Sequence, residues 1–250
     1  MGTYSTKHGI ITLEGDARMQ ESLQKDGAYM YADIEACFPY VSGTIVDVGA
    51  HVGLWAIPMA QKAEKVIAIE ALPRTFQLLQ ENLIANNVRN ATPLNVLLGD
   101  PLKKYSQGST KSSGSNHYLE NGDLSPQTLD TLITEKISFI KIDVEGMEPE
   151  VLAGAKRIIN ESRPRFIIEV NPRVLQKLGK KPSDISKHLP EYIFYRFDSR
   201  HGWCRMPYLM NSFYNFLAVP RELEQPKSVS FIKYVCIRCF EKIRDSLGTK

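Results

Sequence analysis

From Thr44 onward, short β-rich runs alternate with stretches of helical periodicity, and that alternation restricts the chain to one kind of architecture. The runs are Thr44–Val48, Lys65–Glu70, Thr92–Leu97, Ser138–Asp143 and Arg165–Val170, then Ile193–Phe197 and Tyr214–Val219. Between them lie helical stretches at Leu54–Lys62, Arg74–Asn86, Glu148–Glu161 and Pro182–Leu189. Strands that alternate with helices specify a parallel α/β sheet covered on both faces. Residues 1–43 read as an N-terminal helical extension, residues 44–220 as the α/β domain and residues 221–250 as a separate tail. The segment from Pro101 to Pro126 is rich in Ser, Gly, Asn and Lys and has no periodicity, so it reads as a long polar loop.

The 250 residues, 43% hydrophobic and 24% charged, exclude a disordered chain or a coiled coil. The net charge of +3 is confined to the tail, because residues 221–250 hold seven basic and four acidic side chains. A balanced first 220 residues argue against a nucleic-acid groove. Four cysteines (Cys37, Cys204, Cys236, Cys239) do not make a disulfide framework, and the lone C-x-x-C lacks a second metal-ligand pair. With no signal peptide or membrane-length apolar run, a cytoplasmic location is expected. Met1-Gly2 opens a loose N-myristoylation pattern, a short match of a kind common by chance, and modification is not the favoured reading.

In an open parallel sheet, ligands bind beyond the carboxyl ends of the strands. There the first strand runs into Asp47-Val48-Gly49-Ala50-His51-Val52-Gly53. Gly49 permits a tight turn and close backbone approach, and Gly53 lets the next helix pack nearby. The spacing is not the G-x-G-x-x-G of a nicotinamide site, which leaves an NAD-dependent oxidoreductase a distant alternative. Glu70 ends the second strand, where a carboxylate can hold both hydroxyls of a ribose. Asp47 suits a cationic amino group, so the ligand has an adenosine half and an ammonium half, as in S-adenosylmethionine. The bland alternative makes Asp47 a helix cap and Glu70 a solvated strand end.

The fourth strand, Phe139-Ile140-Lys141-Ile142-Asp143-Val144-Glu145, carries three charges at alternate positions of an apolar run. In a sheet covered on both faces these must pair or reach a cleft. D-V-G-A-x-x-G, I-x-I-E, T-L-D-x-L, F-I-K-I-D-V-E-G-x-E, V-L-x-G-A and R-P-x-x-I-x-E together resemble the FkbM family, from about Thr44 to Pro220. These are class I S-adenosylmethionine-dependent methyltransferases acting mainly on hydroxyls of sugars and natural products. The resemblance implies a Rossmann-like, mostly parallel seven-stranded sheet with the last strand antiparallel and helices on both faces. It also implies S-adenosylmethionine as methyl donor and S-adenosylhomocysteine as product. Asp47, Gly49 and Gly53 then form the cofactor loop and Glu70 takes the ribose. Leu98 to Asp100 lie near the adenine, Asp143 and Glu145 lie beside the transferred methyl, and Glu169 stands at the fifth strand's tip. His51 stands where the family commonly has Asn, which puts a cofactor contact there in doubt.

An alcohol acceptor must lose its proton as it attacks, and Asp143 and Glu145 are the expected bases, with Lys141 orienting or neutralising them. A divalent metal on Asp143, Glu169 and Asn171 is a less favoured variant. His51, His117 and His201 are the titratable alternatives. Trp203 and Tyr208 either stack on a flat acceptor or pack locally. The expected partner is a small-molecule or glycan acceptor. Competing readings are an RNA methyltransferase, weakened because Asp143-Val144-Glu145-Gly146 stands where adenine-methylating enzymes carry Asp/Asn-Pro-Pro-aromatic, and a non-catalytic binding module. Ser228–Leu247 reads as a basic amphipathic helix that packs on the domain, mediates self-association or lies on an anionic membrane.

Overall fold

In a computed structural model of the 250-residue chain, the described residues are 1–27, 29–108, 118–209, 214–231 and 233–234. The chain opens with a hairpin of β1 (Gly2–Thr6) and β2 (Gly9–Leu13). Helices α1 (Ala17–Asp26) and α2 (Tyr31–Cys37) follow, then a short 3-10 turn at Phe38–Tyr40. The expected N-terminal helical extension is thus half hairpin, because Thr3, Tyr4, Ile10, Ile11 and Thr12 favour strands and alternate between faces. The hairpin is tied down by amides: Asn82 Nδ2 donates to Thr12 O and Val52 O, and Asn86 Nδ2 donates to Ile10 O.

The α/β core then runs β3 (Thr44–Val48), α3 (Ala56–Ala60), β4 (Lys65–Ile69), α4 (Pro73–Ala85) and β5 (Ala91–Leu94). Inside the polar loop, β6 (Tyr105–Gln107) pairs with β7 (Tyr118–Glu120). Next come α5 (Leu129–Leu132), β8 (Phe139–Ile142), α6 (Glu148–Ala153), α7 (Lys156–Glu161) and β9 (Arg165–Val170). The helix expected over Glu148–Glu161 is therefore two helices. They break at Gly154, where a Cβ would approach Thr128 Cβ to 3.0 Å. Helices α8 (Pro172–Lys177) and α9 (Pro182–Ser186) lead to β10 (Tyr192–Asp198), β11 (Gly202–Met206), β12 (Tyr214–Pro220) and β13 (Ser228–Val229).

The main sheet has nine strands in the order β13-β11-β10-β12-β9-β8-β3-β4-β5. Strands β3, β4, β5, β8 and β9 are parallel, and β12 is antiparallel to both β9 and β10. The seven strands from β5 to β10 form the expected Rossmann-like methyltransferase sheet. The two extra strands arise because Gly202 (φ +72) turns the chain back along β10, and Ser228–Val229 then pairs with β11. The tail helix therefore cannot begin at Ser228; helix is described at Phe231, Lys233 and Tyr234, and the rest of that stretch lies outside the described residues.

Alternation in the buried strands sends side chains to two cores. Val46, Ile140 and Ile168 join the layer of α5 to α9, while Ile45, Phe139 and Ile167 join the layer of the hairpin and α1 to α4. Asp47, Lys141 and Glu169 share the parity of the second set, so the charges of three adjacent strands converge under the N-terminal layer.

Candidate active site

A cavity of about 450 Å³ opens at the carboxyl ends of β3, β4, β8 and β9, beneath α1. Its first wall is the turn after β3. Gly49 (φ +75) has no room for a side chain, since a Cβ there would fall 1.8 Å from Asp143 O. His51, at φ +50, donates its backbone N–H to Glu70 Oε2 at 2.9 Å, and Leu72 N donates to Glu70 Oε1 at 2.9 Å. Glu70 is 7% exposed and lines the cavity, each oxygen keeping a second lone pair for a ligand. Burial pushes its carboxyl up, against the pull of these backbone donors. Burial likewise pulls the His51 imidazole down to about 4, with Lys141 adding to it, so the ring is neutral near pH 7. Val96, Leu97, Leu98 and Met147 supply an apolar slot beyond Glu70.

The register of β3 on β8 sets Asp47 beside Lys141. Lys141 Nζ donates to Gly49 O at 2.6 Å and lies 3.3 Å from Asp47 Oδ1 and 3.5 Å from Asp143 Oδ2. Burial lowers the ammonium's pKa, but the Asp47 and Asp143 carboxylates outweigh it and hold it above the usual lysine range. Asp47 is 1% exposed and does not line the cavity. Its role is to anchor Lys141 beneath the Gly49 turn, a correction to its expected place as a direct cofactor contact. Gly53 (φ +97) also stays out of the cavity and packs between Ile57 and Leu79.

At the deep end stand Asp143, Glu145 and Glu169, with carboxylate oxygens within 4.8 Å of one another. Glu145 sits in a left-handed turn (φ +50) just after β8, and Asn171 lines the same cavity while capping α8. Burial pushes the Glu145 carboxyl up to about 8, helped by the negative charge of Asp143. Glu169 is raised well above the usual range by burial, with Asp143 and Glu145 adding to it.

Three expected residues lie elsewhere. Asp100 caps its own turn through Leu102 N and is outside the cavity wall. His201 pairs with Asp198 at 2.8 Å in the β10–β11 turn. Trp203 is 7% exposed and packs edge-on against Phe197 and Tyr40, so it is a core residue and not an acceptor platform. Both residues were displaced by the unforeseen β11, which takes this segment to the far edge of the sheet. His117 lies outside the described residues. In turn, the roof of the cavity contains residues that the motifs do not mark: Asp16, Arg18, Met19, Tyr29 and Met30. The only signal for them is the N-cap position of Asp16, whose Oδ1 accepts from Met19 N at 2.9 Å.

This strand order, with a glycine turn after β3 and an acidic residue after β4, defines a Rossmann-like methyltransferase. The Methyltransferase FkbM domain profile matches residues 47–197, more than half of the chain, and the protein belongs to that family. Membership implies S-adenosylmethionine as the methyl donor. A probable ribosomal RNA small subunit methyltransferase A from Methanosphaera stadtmanae is 38% identical over 60 residues, 24% of this chain and 21% of that one. Among solved structures, a methyltransferase FkbM from Methylobacillus flagellatus is 23% identical, with a TM-score of 0.45 over 71% of this chain and 43% of its own. A putative O-methyltransferase from Klebsiella pneumoniae is 15% identical, with a TM-score of 0.46 over 83% and 91%. The chain thus spans only a fifth of the curated relative and under half of the Methylobacillus protein. No helix among the described residues is long and apolar enough to cross a membrane.

The cavity fits the methyl donor on its own chemistry. Gly49 holds the turn against the Asp143 backbone at the cavity wall, Glu70 offers two oxygens to a vicinal diol, and the apolar slot suits a purine.

Proposed function

We propose that the protein transfers a methyl group from S-adenosylmethionine to a hydroxyl of a sugar, glycan or natural product. The observation that carries this reading is the carboxylate group Asp143, Glu145 and Glu169, which lines the same cavity as Gly49 and Glu70. When bound, the donor supplies an electrophilic methyl on a cationic sulfur. The Gly49 turn and Glu70 hold the nucleoside end, and His51 contributes its backbone to that turn. Lys141 fixes the turn and the Asp143 carboxylate relative to each other through its contacts with Gly49 O and Asp143. Asp143 and Glu145 then orient the acceptor hydroxyl and take its proton as the oxygen attacks in line. Glu145, raised to about 8, is a stronger base than an ordinary glutamate once ionised, and is ionised only in part at neutral pH.

The similarity to a probable ribosomal RNA enzyme favours RNA as a second acceptor class. Against it, the deep end is lined by carboxylates that repel a phosphate backbone, and Asp143-Val144-Glu145-Gly146 occupies the position of a base-reading motif. The test is labelled-methyl transfer to a panel of glycans, hydroxylated small molecules and RNA. Turnover on a hydroxyl acceptor, lost in Asp143→Ala and Glu145→Ala with S-adenosylhomocysteine binding retained, supports the reading. Transfer to RNA alone, or wild-type turnover in both variants, refutes it.

A further inference from the structure

Strand β9 lies against β8 with Ile142 opposite Ile168, so the next step along each strand sets Asp143 level with Glu169. Two carboxylates side by side across a parallel pair repel each other, and are relieved by a proton or by a nearby cation. Cations are few among the described residues. The cavity lining holds five acids (Asp16, Glu70, Asp143, Glu145, Glu169) against Lys141 and Arg18 as cations. Asp16 and Glu70 are occupied by backbone N–H donors. Lys141 is shared between Asp47 and Asp143. On the other flank of Glu169 its register partner Asn215 gives its amide to Asp33, at 3.1 Å.

That leaves Glu169, only 7% exposed and facing the cavity, with no hydrogen bond or ion pair from any described residue. Glu145, half-buried in the turn after β8, likewise receives none. A buried carboxylate is retained at such a place when something outside the chain completes it. Three carboxylate oxygens within 4.8 Å of one another match the spacing of ligands around one ion, since opposite ligands of a hard divalent cation stand about 4–5 Å apart. A donor set of oxygens alone selects magnesium, manganese or calcium over zinc or copper.

We propose that Asp143, Glu145 and Glu169 bind one oxygen-preferring divalent cation, whose remaining positions take water and the acceptor's oxygen. The second part rests on the methyl-transfer reading above. The methyl donor's single positive charge is lost when it departs as the neutral product, which leaves the Lys141 contact with Asp143 as the one ion pair to the three residues among those described. A dication held by the protein satisfies them throughout and holds the acceptor oxygen at the end of the cavity facing Gly49.

The test is a titration of the full-length protein with manganese, followed by the electron paramagnetic resonance signal of the free hexaaqua ion. One bound ion per chain is expected. Glu169→Gln and Glu145→Gln should each weaken it by at least about tenfold, while circular dichroism and S-adenosylhomocysteine binding by calorimetry stay as in the wild type. No saturable manganese binding, or binding unchanged in both variants, overturns the proposal. If manganese fails to bind while S-adenosylhomocysteine still does, the ion site falls and the methyl-donor reading stands. If S-adenosylhomocysteine fails and manganese binds, the reverse holds.

Discussion

Replacing Lys141 by Met removes a charge while keeping the length of the buried stem, and it tests how the Gly49 turn is held. Lys141 is 6% exposed, and its ammonium touches Gly49 O at 2.6 Å, Asp47 Oδ1 at 3.3 Å and Asp143 Oδ2 at 3.5 Å. Neither buried oxygen of Asp47 receives a hydrogen bond of good geometry, so Lys141 is its only close cation among the described residues. Breaking one side of a buried pair costs about 3–5 kcal/mol, because the remaining charge stays uncompensated. A domain of this size loses about 2–4 °C in melting temperature per kcal/mol, so Lys141→Met should lower it by about 6–20 °C. The measurement is thermal and urea unfolding followed by circular dichroism. Adding Asp47→Asn removes the orphaned charge, and the double variant should recover about 1–3 kcal/mol relative to the sum of the singles. A loss below about 1 kcal/mol in Lys141→Met, the range of an exposed ion pair, would refute the reasoning.

Three further outcomes are expected. Glu148 is fully buried, with Oε1 accepting from Gly146 N at 3.0 Å, and burial pushes its carboxyl up to about 7. The folded state therefore keeps a proton that the unfolded chain releases above about pH 4.5, and stability is lost as pH rises through 7. Glu148→Gln should match the wild type below pH 4.5 and exceed it above pH 7 by on the order of 3 kcal/mol in urea unfolding; equal stability at pH 8 contradicts this. Trp203→Ala should cost about 3–5 kcal/mol through its lost contacts with Phe197 and Tyr40. The acceptor KM should not change, whereas a raised KM without loss of stability would restore Trp203 as a substrate platform. Gly49→Ala drives a Cβ to 1.8 Å from Asp143 O and should weaken S-adenosylhomocysteine binding by at least about tenfold, measured by calorimetry.

The parallel core was legible because its signal is local. The parallel strands β3, β4, β8 and β9 are short apolar runs bounded by turn residues, and Arg165–Val170 falls where the sequence places it. The charges on β8 were legible for the same reason, since a lysine and an aspartate in a fully buried strand must meet partners. Their partners were less so. Asp47 reads as a ligand contact from its position just before a glycine-containing turn, but the β3–β8 register turns it to Lys141. Register between strands ninety residues apart is a tertiary fact. The same limit hid β11. Gly202-Trp203-Cys204-Arg205-Met206 reads as a connection, and only the left-handed Gly202 and an open sheet edge make it a strand. The roof from Asp16 to Met30 was illegible because its place over the cavity depends on Asn82 and Asn86 gripping the hairpin, contacts about seventy residues apart in sequence.

The central claim is that the cavity between Gly49 and Glu169 is the methyl donor's site. Calorimetric titration of S-adenosylhomocysteine into the wild type and Glu70→Ala tests it directly. One site per chain is predicted, with affinity falling by about tenfold to a hundredfold when the buried carboxylate's charge-assisted hydrogen bonds are removed. Absence of saturable binding to the wild type, or equal affinity in Glu70→Ala, would contradict it.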